Sequence, residues 1–148
     1  MVGKINNAAN ASVSYTNNEG ARFASAGGLG FLGTGTFTNK GYFISHLAGE
    51  NTASTHSFAG TFTQTSTGVL GIKLDHSAGL ADLINLEGTG AFNLAGKVQT
   101  NFLNPHLIAP GTVVKEVLRT NSADSRLAID DAFTIDRTAI MDMSLVKS

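Results

Sequence analysis

The chain of 148 residues contains no cysteine and no tryptophan, and only 14% of its residues are charged. The absence of cysteine excludes disulfide frameworks, thiolate zinc sites and cysteine nucleophiles. The formal net charge is −1, and the sequence has no cluster of lysine or arginine that would form a basic surface for binding nucleic acids or anionic membranes. We therefore expect no nucleic acid partner, and a surface whose polarity comes from threonine, serine and asparagine.

Long apolar runs are also missing. No segment reaches the roughly 18 to 20 consecutive apolar residues of a membrane-spanning helix, so we expect no direct membrane insertion. The first residues, MVGKINNAANASV, lack the apolar core of a secretory signal, and an exported precursor is expected to have been trimmed to give this chain. The length suits one domain with a real core.

A glycine–aromatic pattern recurs along the chain. Gly35–Asn39 (GTFTN) and Gly60–Gln64 (GTFTQ) are nearly identical, and Gly90–Asn93 (GAFN) is a shorter copy. The intervals of 25 and 30 residues fall in the range that indicates solenoids, propellers or arrays. Each copy is followed by a glycine and a new apolar run, so the pattern predicts a repeated unit of strand, turn and strand. The expected turn glycines are Gly41, Gly68 and Gly96.

Alternation within the apolar runs favours strands over helices. Between Leu70 and Asp75, leucine and isoleucine alternate with glycine, lysine and aspartate, and the run from Ile84 to Glu87 alternates in the same way. A period of two predicts strands with one apolar face and one face in water. The phenylalanines of the repeat are expected to stack in the interior; they are Phe37, Phe62 and Phe92.

Taken in order, these segments resemble the C-terminal part of the passenger domain of bacterial autotransporters, the type V secreted proteins. The residues that match the family's phrases are Gly60, Thr61, Phe62 and Gln64, then Gly68, Leu70, Ile72, Leu74 and Asp75, then Asp82, Ile84, Leu86, Gly88 and Ala91, then Leu94 and Gly96. Three further segments are similar to family strands: Thr34 to Ser45, Pro110 to Leu118 with Gly111 at its turn, and Arg126 to Lys147. The resemblance covers about three quarters of the chain.

The resemblance implies an all-β protein, a right-handed single-stranded parallel β-helix (β-solenoid) with a C-terminal β cap. Residues 1–57 are expected to form β-helix rungs, with an irregular N-terminal part, and residues 58–148 an autochaperone-like segment and the cap. It also implies a secreted or cell-surface location at the bacterial outer membrane, and a non-enzymatic role in the folding and display of an adhesin-like virulence protein. The expected partner is the C-terminal outer-membrane β-barrel of the same precursor. A host-surface or glycan ligand and edge-to-edge pairing of the chain with itself are further partners to consider.

Motifs that carry chemistry have simpler structural interpretations. Gly28–Gly33 satisfies the dinucleotide pattern GxGxxG, but no β-α-β context surrounds it, so a glycine-rich β-turn is favoured. The position of a calcium-ligating aspartate holds Leu32. The four histidines are widely spaced and are predicted at surface or turn positions; they are His46, His56, His76 and His106. The segment Ser54–Ser57 is interpreted as a polar loop.

The carboxylates give no stronger signal. Asp130, Asp131 and Asp136 form the densest acidic cluster, and paired aspartates serve acid–base chemistry in β-helix polysaccharide enzymes, but a solvated turn is favoured here. Asp82 is expected to accept hydrogen bonds from turn backbone. We therefore predict no catalytic, cofactor-binding or metal-binding residues and no cofactor. The alternative is a small β-helix protein that binds or degrades polysaccharide.

Overall fold

The chain is all-β in every part that the computed structural model describes, namely residues 2–3, 6–7, 11–25, 30–31, 35–44, 52–58, 60–86, 90–103, 107, 109, 111–112, 117–120 and 127–135. The strands form three main sheets and one separate pair, and successive neighbours within each sheet are parallel. Sheet I consists, in spatial order, of β1 (Val2–Gly3), β4 (Arg22–Ser25), β7 (Tyr42–Ile44), β10 (Val69–Asp75), β14 (Lys97–Leu103) and β17 (Thr134–Ile135). Sheet II consists of β3 (Val13–Asn17), β6 (Gly35–Asn39), β9 (Gly60–Gln64), β13 (Phe92–Leu94) and β16 (Leu127–Ile129). Sheet III consists of β8 (Thr55–Phe58), β12 (Leu83–Leu86) and β15 (Leu118–Thr120).

Three short strands complete the set. The separate pair is β2 (Asn6–Asn7) with β5 (Gly30–Phe31), and β5 lies beside β8 of sheet III. The strand β11 (Leu80–Ala81) folds back on the end of β10 and is the one antiparallel partner among the described strands.

The chain visits the sheets in a fixed cyclic order. From β3 onward it passes from sheet II to sheet I and then to sheet III or the β2–β5 pair before it returns to sheet II. We call each passage a layer: layer 1 is residues 13–31, layer 2 is 35–58, layer 3 is 60–86, layer 4 is 92–120 and layer 5 is 127–135. Because equivalent strands of successive layers pair in parallel, each layer contacts the layers before and after it. Pairing also crosses residue 57, since β6 pairs with β9 and β7 with β10.

The register of sheet II confirms the repeat seen in the sequence. Gly35 lies opposite Gly60 and Phe37 opposite Phe62, 25 residues apart, while Phe62 lies opposite Phe92, 30 residues apart. The same register extends to layer 1, where Tyr15 lies opposite Phe37 although its strand lacks the glycine of the repeat. The predicted strand, turn and strand unit is present in layers 2, 3 and 4.

The interior contains a stack of aromatic rings. Phe37, Phe62 and Phe92 are buried as predicted, and Tyr15 continues their row into layer 1. The ring centroids of Phe37 and Phe62 are 5.5 Å apart with their planes 2° from parallel, and those of Tyr15 and Phe37 are 5.1 Å apart. Phe23 and Phe43 of sheet I stack beside this row. Aromatic pairs of this kind add about 0.5–1.5 kcal/mol each beyond the area that they bury.

The glycines at the corner between sheets II and I are required because the chain of the previous layer lies too close for a side chain. A Cβ atom on Gly68 would lie 2.6 Å from the carbonyl oxygen of Asn39, and one on Gly96 would collide with the carbonyl oxygen of Gly68. Gly96 also has φ +73°, a value that L-residues rarely adopt. The predicted turn positions are confirmed, and close approach between layers is the reason at Gly68.

The prediction that one face of β10 lies in water was wrong. Lys73 and Gly71 alternate with the core residues of this strand and are nevertheless buried, Lys73 with 1% of its surface exposed. Lys73 donates a hydrogen bond from Nζ to the carbonyl oxygen of Thr52, so the segment before β8 covers this face. Gly71 is covered by Tyr42 of layer 2, whose hydroxyl oxygen would lie 3.0 Å from a Cβ atom at that position.

Two further expectations need correction. His56 was predicted at the surface or in a turn, but it lies in β8 and is 2% exposed. Thr55–Ser57, interpreted as a polar loop, is part of the same strand, which pairs with β12. Parallel pairing with β12 over four residues outweighs the weak strand preference of this polar segment.

Parts of the expected C-terminal structure are also described. β16 and β17 lie within the predicted closing segment, and Gly111 is in a turn with φ +82°. The rest of the segment from Arg126 to Lys147, residues 136–147, lies outside the described residues, as does most of the predicted strand from Pro110 to Leu118.

Replacing Phe62 by alanine is expected to lower the free energy of unfolding by about 3–5 kcal/mol, because it removes the ring that contacts Phe37 and Phe92. The matched control is Thr61→Ala on the outer face of the same strand, with an expected cost below about 1 kcal/mol. Urea denaturation of both variants measures the difference. Equal losses would contradict the assignment of inner and outer faces in sheet II.

Candidate functional site

The residues that could carry metal or acid–base chemistry do not come together in the described part of the chain. No group of three or more histidine, aspartate or glutamate side chains is placed to hold a metal ion there. Asp130 and Asp131 are exposed, and Asp130 Oδ1 accepts a hydrogen bond from the backbone N–H of Ala132 at 2.7 Å. The predicted turn at this position is confirmed. Asp136 of the same cluster lies outside the described residues.

Of the remaining candidate residues, one lies in its predicted kind of position and the others lie mostly outside the described residues. His76 lies in the predicted kind of position, the turn after β10, and its ring stacks on Phe102 with centroids 5.0 Å apart. His46 and His106 lie outside the described residues, as does most of the GxGxxG segment, of which Gly30 and Phe31 form β5. The described residues contain no helix long and apolar enough to cross a membrane.

A buried ion pair within layer 3 contacts the end of layer 2. Lys73 Nζ lies 3.7 Å from Asp82 Oδ1, and the two side chains are 1% and 0% exposed. The lysine also contacts Ser54 Oγ at 3.4 Å and donates to the carbonyl oxygen of Thr52. A buried pair of this kind is tolerable only when further hydrogen bonds satisfy both charges. Both charges have such hydrogen bonds in this protein, so the pair has a structural role.

Asp82 has the structural role predicted for it, with different partners. Oδ1 accepts from the backbone N–H of Ser54 at 2.8 Å, and Oδ2 accepts from the backbone N–H of Lys73 at 2.7 Å. Neither donor belongs to the turn before β12. One carboxylate therefore fixes the segment that precedes β8 against β10, across the boundary between layers.

A row of buried amides was not foreseen in the sequence. Asn17, Asn39 and Gln64 occupy equivalent positions at the ends of β3, β6 and β9, with 3%, 0% and 2% of their surfaces exposed. Asn17 Nδ2 donates to Asn39 Oδ1 at 2.9 Å, and Asn39 Nδ2 donates to Gln64 Oε1 at 3.2 Å. We call these three side chains the amide ladder. The signal was available, because Asn39 and Gln64 close the two repeated pentapeptides.

Each amide also binds the backbone of the next layer. Asn17 Nδ2 donates to the carbonyl oxygen of Tyr42 at 3.2 Å, and Asn39 Nδ2 donates to that of Val69 at 3.1 Å. Gln64 meets Leu94 instead of another amide, and its Nε2 donates to the carbonyl oxygens of Ala95 at 2.7 Å and Lys97 at 3.1 Å. Each amide of the ladder thus donates its hydrogen bonds to the following layer, from layer 1 through to layer 4.

The outer face of sheet II carries hydroxyl and amide groups in rows. Ser14 and Thr36 lie in one row with Thr61, and Thr36 Oγ1 donates to Ser14 Oγ at 3.1 Å. Thr38 and Thr63 belong to a second row with Thr16, which Asn93 extends by donating to Thr63 Oγ1 at 3.3 Å. These positions hold no charged residue. The face can therefore offer hydrogen bonds but no strong electrostatic attraction.

A shallow groove of about 360 Å³ lies at the corner between sheets II and I. Glu19, Arg22, Lys40 and Tyr42 are among its lining residues. The guanidinium carbon of Arg22 lies 5.1 Å from the centre of the Tyr42 ring, as in a cation–π contact. Because Arg22 occupies that face of the ring, Tyr42 offers a sugar no open stacking platform there.

Comparison with known proteins identifies no relative: no protein-family model matches the chain, and no match was found among curated proteins or among solved structures. The resemblance to autotransporter passengers therefore stays a prediction from the sequence.

Replacing Asn39 by alanine is expected to cost about 1–3 kcal/mol of unfolding free energy, because Gln64 Oε1 and the carbonyl oxygen of Val69 lose a buried donor. The matched control is Asn93→Ala, an exposed amide on sheet II, which should change stability by less than about 0.5 kcal/mol. Chemical denaturation compares the two. A cost at Asn93 equal to that at Asn39 would refute the ladder's role.

Replacing Lys73 by methionine is expected to cost about 3–5 kcal/mol, because it leaves the Asp82 carboxylate buried without its cation. Lys97→Met, at an exposed lysine of the neighbouring strand β14, is the control and should cost less than about 0.5 kcal/mol. Urea denaturation measures both, and a Lys73→Met variant as stable as the control would show that the pair contributes nothing.

Proposed function

We propose that the chain is a right-handed single-stranded parallel β-helix that serves as a non-enzymatic structural module of an autotransporter passenger domain. The observation that carries the proposal is the cyclic order of the strands, with equivalent residues of five successive layers in register. Parallel strands joined by crossover connections are right-handed in nearly all proteins, which is the basis for the proposed hand. The family role rests on the sequence resemblance, with which this strand order agrees.

The layered arrangement supports a role in folding. In such a fold, stability is close to a sum of terms for each layer and each interface, so an ordered layer can act as a template for its neighbour. Here the contacts between layers are specific, since the amide ladder joins successive layers and Lys73 and Asp82 of layer 3 bind Thr52 and Ser54 of layer 2. A stable C-terminal segment outside the cell would then promote folding of the remainder and oppose its return through the export pore.

We further propose that residues 58–148 act as the autochaperone-like segment and cap, and that the intact protein is displayed at the bacterial surface as an adhesin-like passenger. The partner in export would be the outer-membrane β-barrel of the same precursor. Within the segment, layers 3 and 4 contain the longest strands described, β10 and β14, which pair over seven residues. This long interface makes the segment a reasonable folding nucleus.

The fragment Asn51–Ser148 is expected to fold without the preceding residues, because it keeps the β10–β14 interface and the segment that covers Lys73. Far-ultraviolet circular dichroism should give a β-sheet spectrum and a single cooperative transition in urea. The matched fragment, residues 1–50, lacks that interface and should remain largely unfolded. An unfolded spectrum for Asn51–Ser148 would contradict the autochaperone role.

The alternative, a polysaccharide-binding protein, is favoured by one observation, the uncharged rows of hydroxyl and amide groups on sheet II. It ranks second because the described residues provide neither an open aromatic platform nor a pair of carboxylates across a cleft. Binding of the chain to a glycan array, or turnover of uronic-acid polymers, would reverse this order.

A further inference from the structure

The outer face of sheet II repeats one pair of side chains in successive layers. The two rows of hydroxyl and amide groups stand two residues apart on each strand, so every layer contributes one residue to each row. In layers 1 to 3 the pairs are Ser14 and Thr16, Thr36 and Thr38, and Thr61 and Thr63. Layer 4 continues the rows with Ala91 and Asn93. The face therefore consists of short, uncharged side chains, most of which carry a hydroxyl group.

Parallel, in-register pairing makes this face periodic in two directions. Outward side chains recur about every 6.6 Å along a strand and about every 4.8 Å from one strand to the next. The rings of Phe37 and Phe62, on the inner side of the same strands, lie 2° from parallel. This small angle indicates that β6 and β9 have little of the roughly 20–25° twist usual between neighbouring strands. The hydroxyl groups thus occupy a nearly flat, regular lattice.

Several hydroxyl groups of this lattice are available to water or to a ligand. Ser14, Thr16 and Thr36 are exposed to solvent. Within its described residues, the structure gives the hydroxyls of Thr16, Thr38 and Thr61 no hydrogen-bond partner. Thr36 Oγ1 donates to Ser14 Oγ at 3.1 Å, which fixes the orientation of both side chains. Each threonine also presents a methyl group, so polar and apolar groups alternate across the face.

A periodic, uncharged solid fits this face better than a flexible chain does. Sites for small ligands are usually concave and lined with apolar or aromatic groups, whereas the two rows contain no aromatic residue. An ice crystal presents uncharged water molecules at fixed spacings, and on the prism faces of hexagonal ice these spacings are close to those of the lattice. Water held by the hydroxyls and around the methyl groups would then occupy positions that ice can extend.

We infer that the outer face of sheet II binds ice, with layers 1 to 3 as the contact surface and with ordered water between the hydroxyl rows and the crystal. Binding depends on the regular repeat, because one displaced or charged group would interrupt the matching of water positions. The inference goes beyond the role in passenger folding and does not depend on it.

The test measures partitioning of the full chain into ice. A dilute solution that also contains serum albumin is frozen slowly from a cooled surface, and gel densitometry compares the protein in the ice with that in the remaining liquid. The chain should be enriched in the ice, whereas albumin should be excluded as the crystal grows. Crystals grown in the chain's presence should also develop flat facets.

A pair of lysine variants locates the binding face. Thr36→Lys places a strongly hydrated ammonium group in the middle of the lattice and should abolish the enrichment, so that the variant is excluded like albumin. Thr55→Lys makes the same substitution at an exposed strand position of sheet III and should partition like the natural chain. Circular dichroism verifies that both variants fold. Thr16→Lys, at an exposed position of the other row, replaces Thr36→Lys if that variant does not fold.

Each outcome bears on the proposal. Loss of enrichment at the sheet II positions with retention in Thr55→Lys would support it. Exclusion of the natural chain from ice, or equal enrichment of the Thr36→Lys and Thr55→Lys variants, would overturn it. Binding of the chain to crystalline cellulose without enrichment in ice would also overturn it, and would assign the face to a neutral polysaccharide. These results are separate from the folding of the Asn51–Ser148 fragment, which tests the passenger role.

Discussion

Parallel, in-register pairing between successive layers is the constraint on which the rest of this structure depends. Neighbouring strands of a sheet lie about 4.8 Å apart, so a side chain that points inward has the equivalent residue of the next layer as its nearest companion. The centroid distances of 5.1 to 6.0 Å along the Tyr15, Phe37, Phe62 and Phe92 row follow from this spacing. The residue in one layer therefore limits the choice at the equivalent position of the next.

This constraint explains why so much of sheet II could be predicted from the sequence. Gly35–Asn39 and Gly60–Gln64 resemble each other because they occupy the same place in adjacent layers, and their spacing predicted their pairing. Layer 1 was harder to find. Its strand has Val13 in place of the repeat's glycine and Tyr15 in place of phenylalanine, so these two positions stay apolar and aromatic while the residue types differ. The strands of sheet III share no repeated sequence of this kind, and His56 lies opposite Ile84 there.

Burial of polar residues was predicted least well, for a physical reason. The alternation of β10 placed Lys73 and Gly71 on a face expected in water, and local alternation cannot reveal what covers a face. The covering groups come from elsewhere in the chain, namely the Thr52–Ser54 segment over Lys73 and the Tyr42 ring over Gly71. The buried Asp82 follows the same principle, since one of its donors, Ser54, is 28 positions away in the sequence. Only the folded arrangement brings such pairs together.

The change from amide to aliphatic side chains along the ladder bears on how the layers find their register. Leu94 and Ile129 continue the positions of Asn17, Asn39 and Gln64, and a slip of one layer would place an amide against an aliphatic residue. Aromatic stacking alone penalises such a slip weakly, because Phe37, Phe62 and Phe92 are interchangeable in kind. An unsatisfied buried amide costs about 1–3 kcal/mol, so the ladder discriminates where the rings do not. Gln64 is suited to the junction because its side chain, one methylene longer than that of asparagine, reaches the Ala95 and Lys97 carbonyl oxygens where layer 4 offers no amide. The residues that repeat between layers thus stabilise this protein, and the positions at which amide gives way to aliphatic side chains specify the order of its layers.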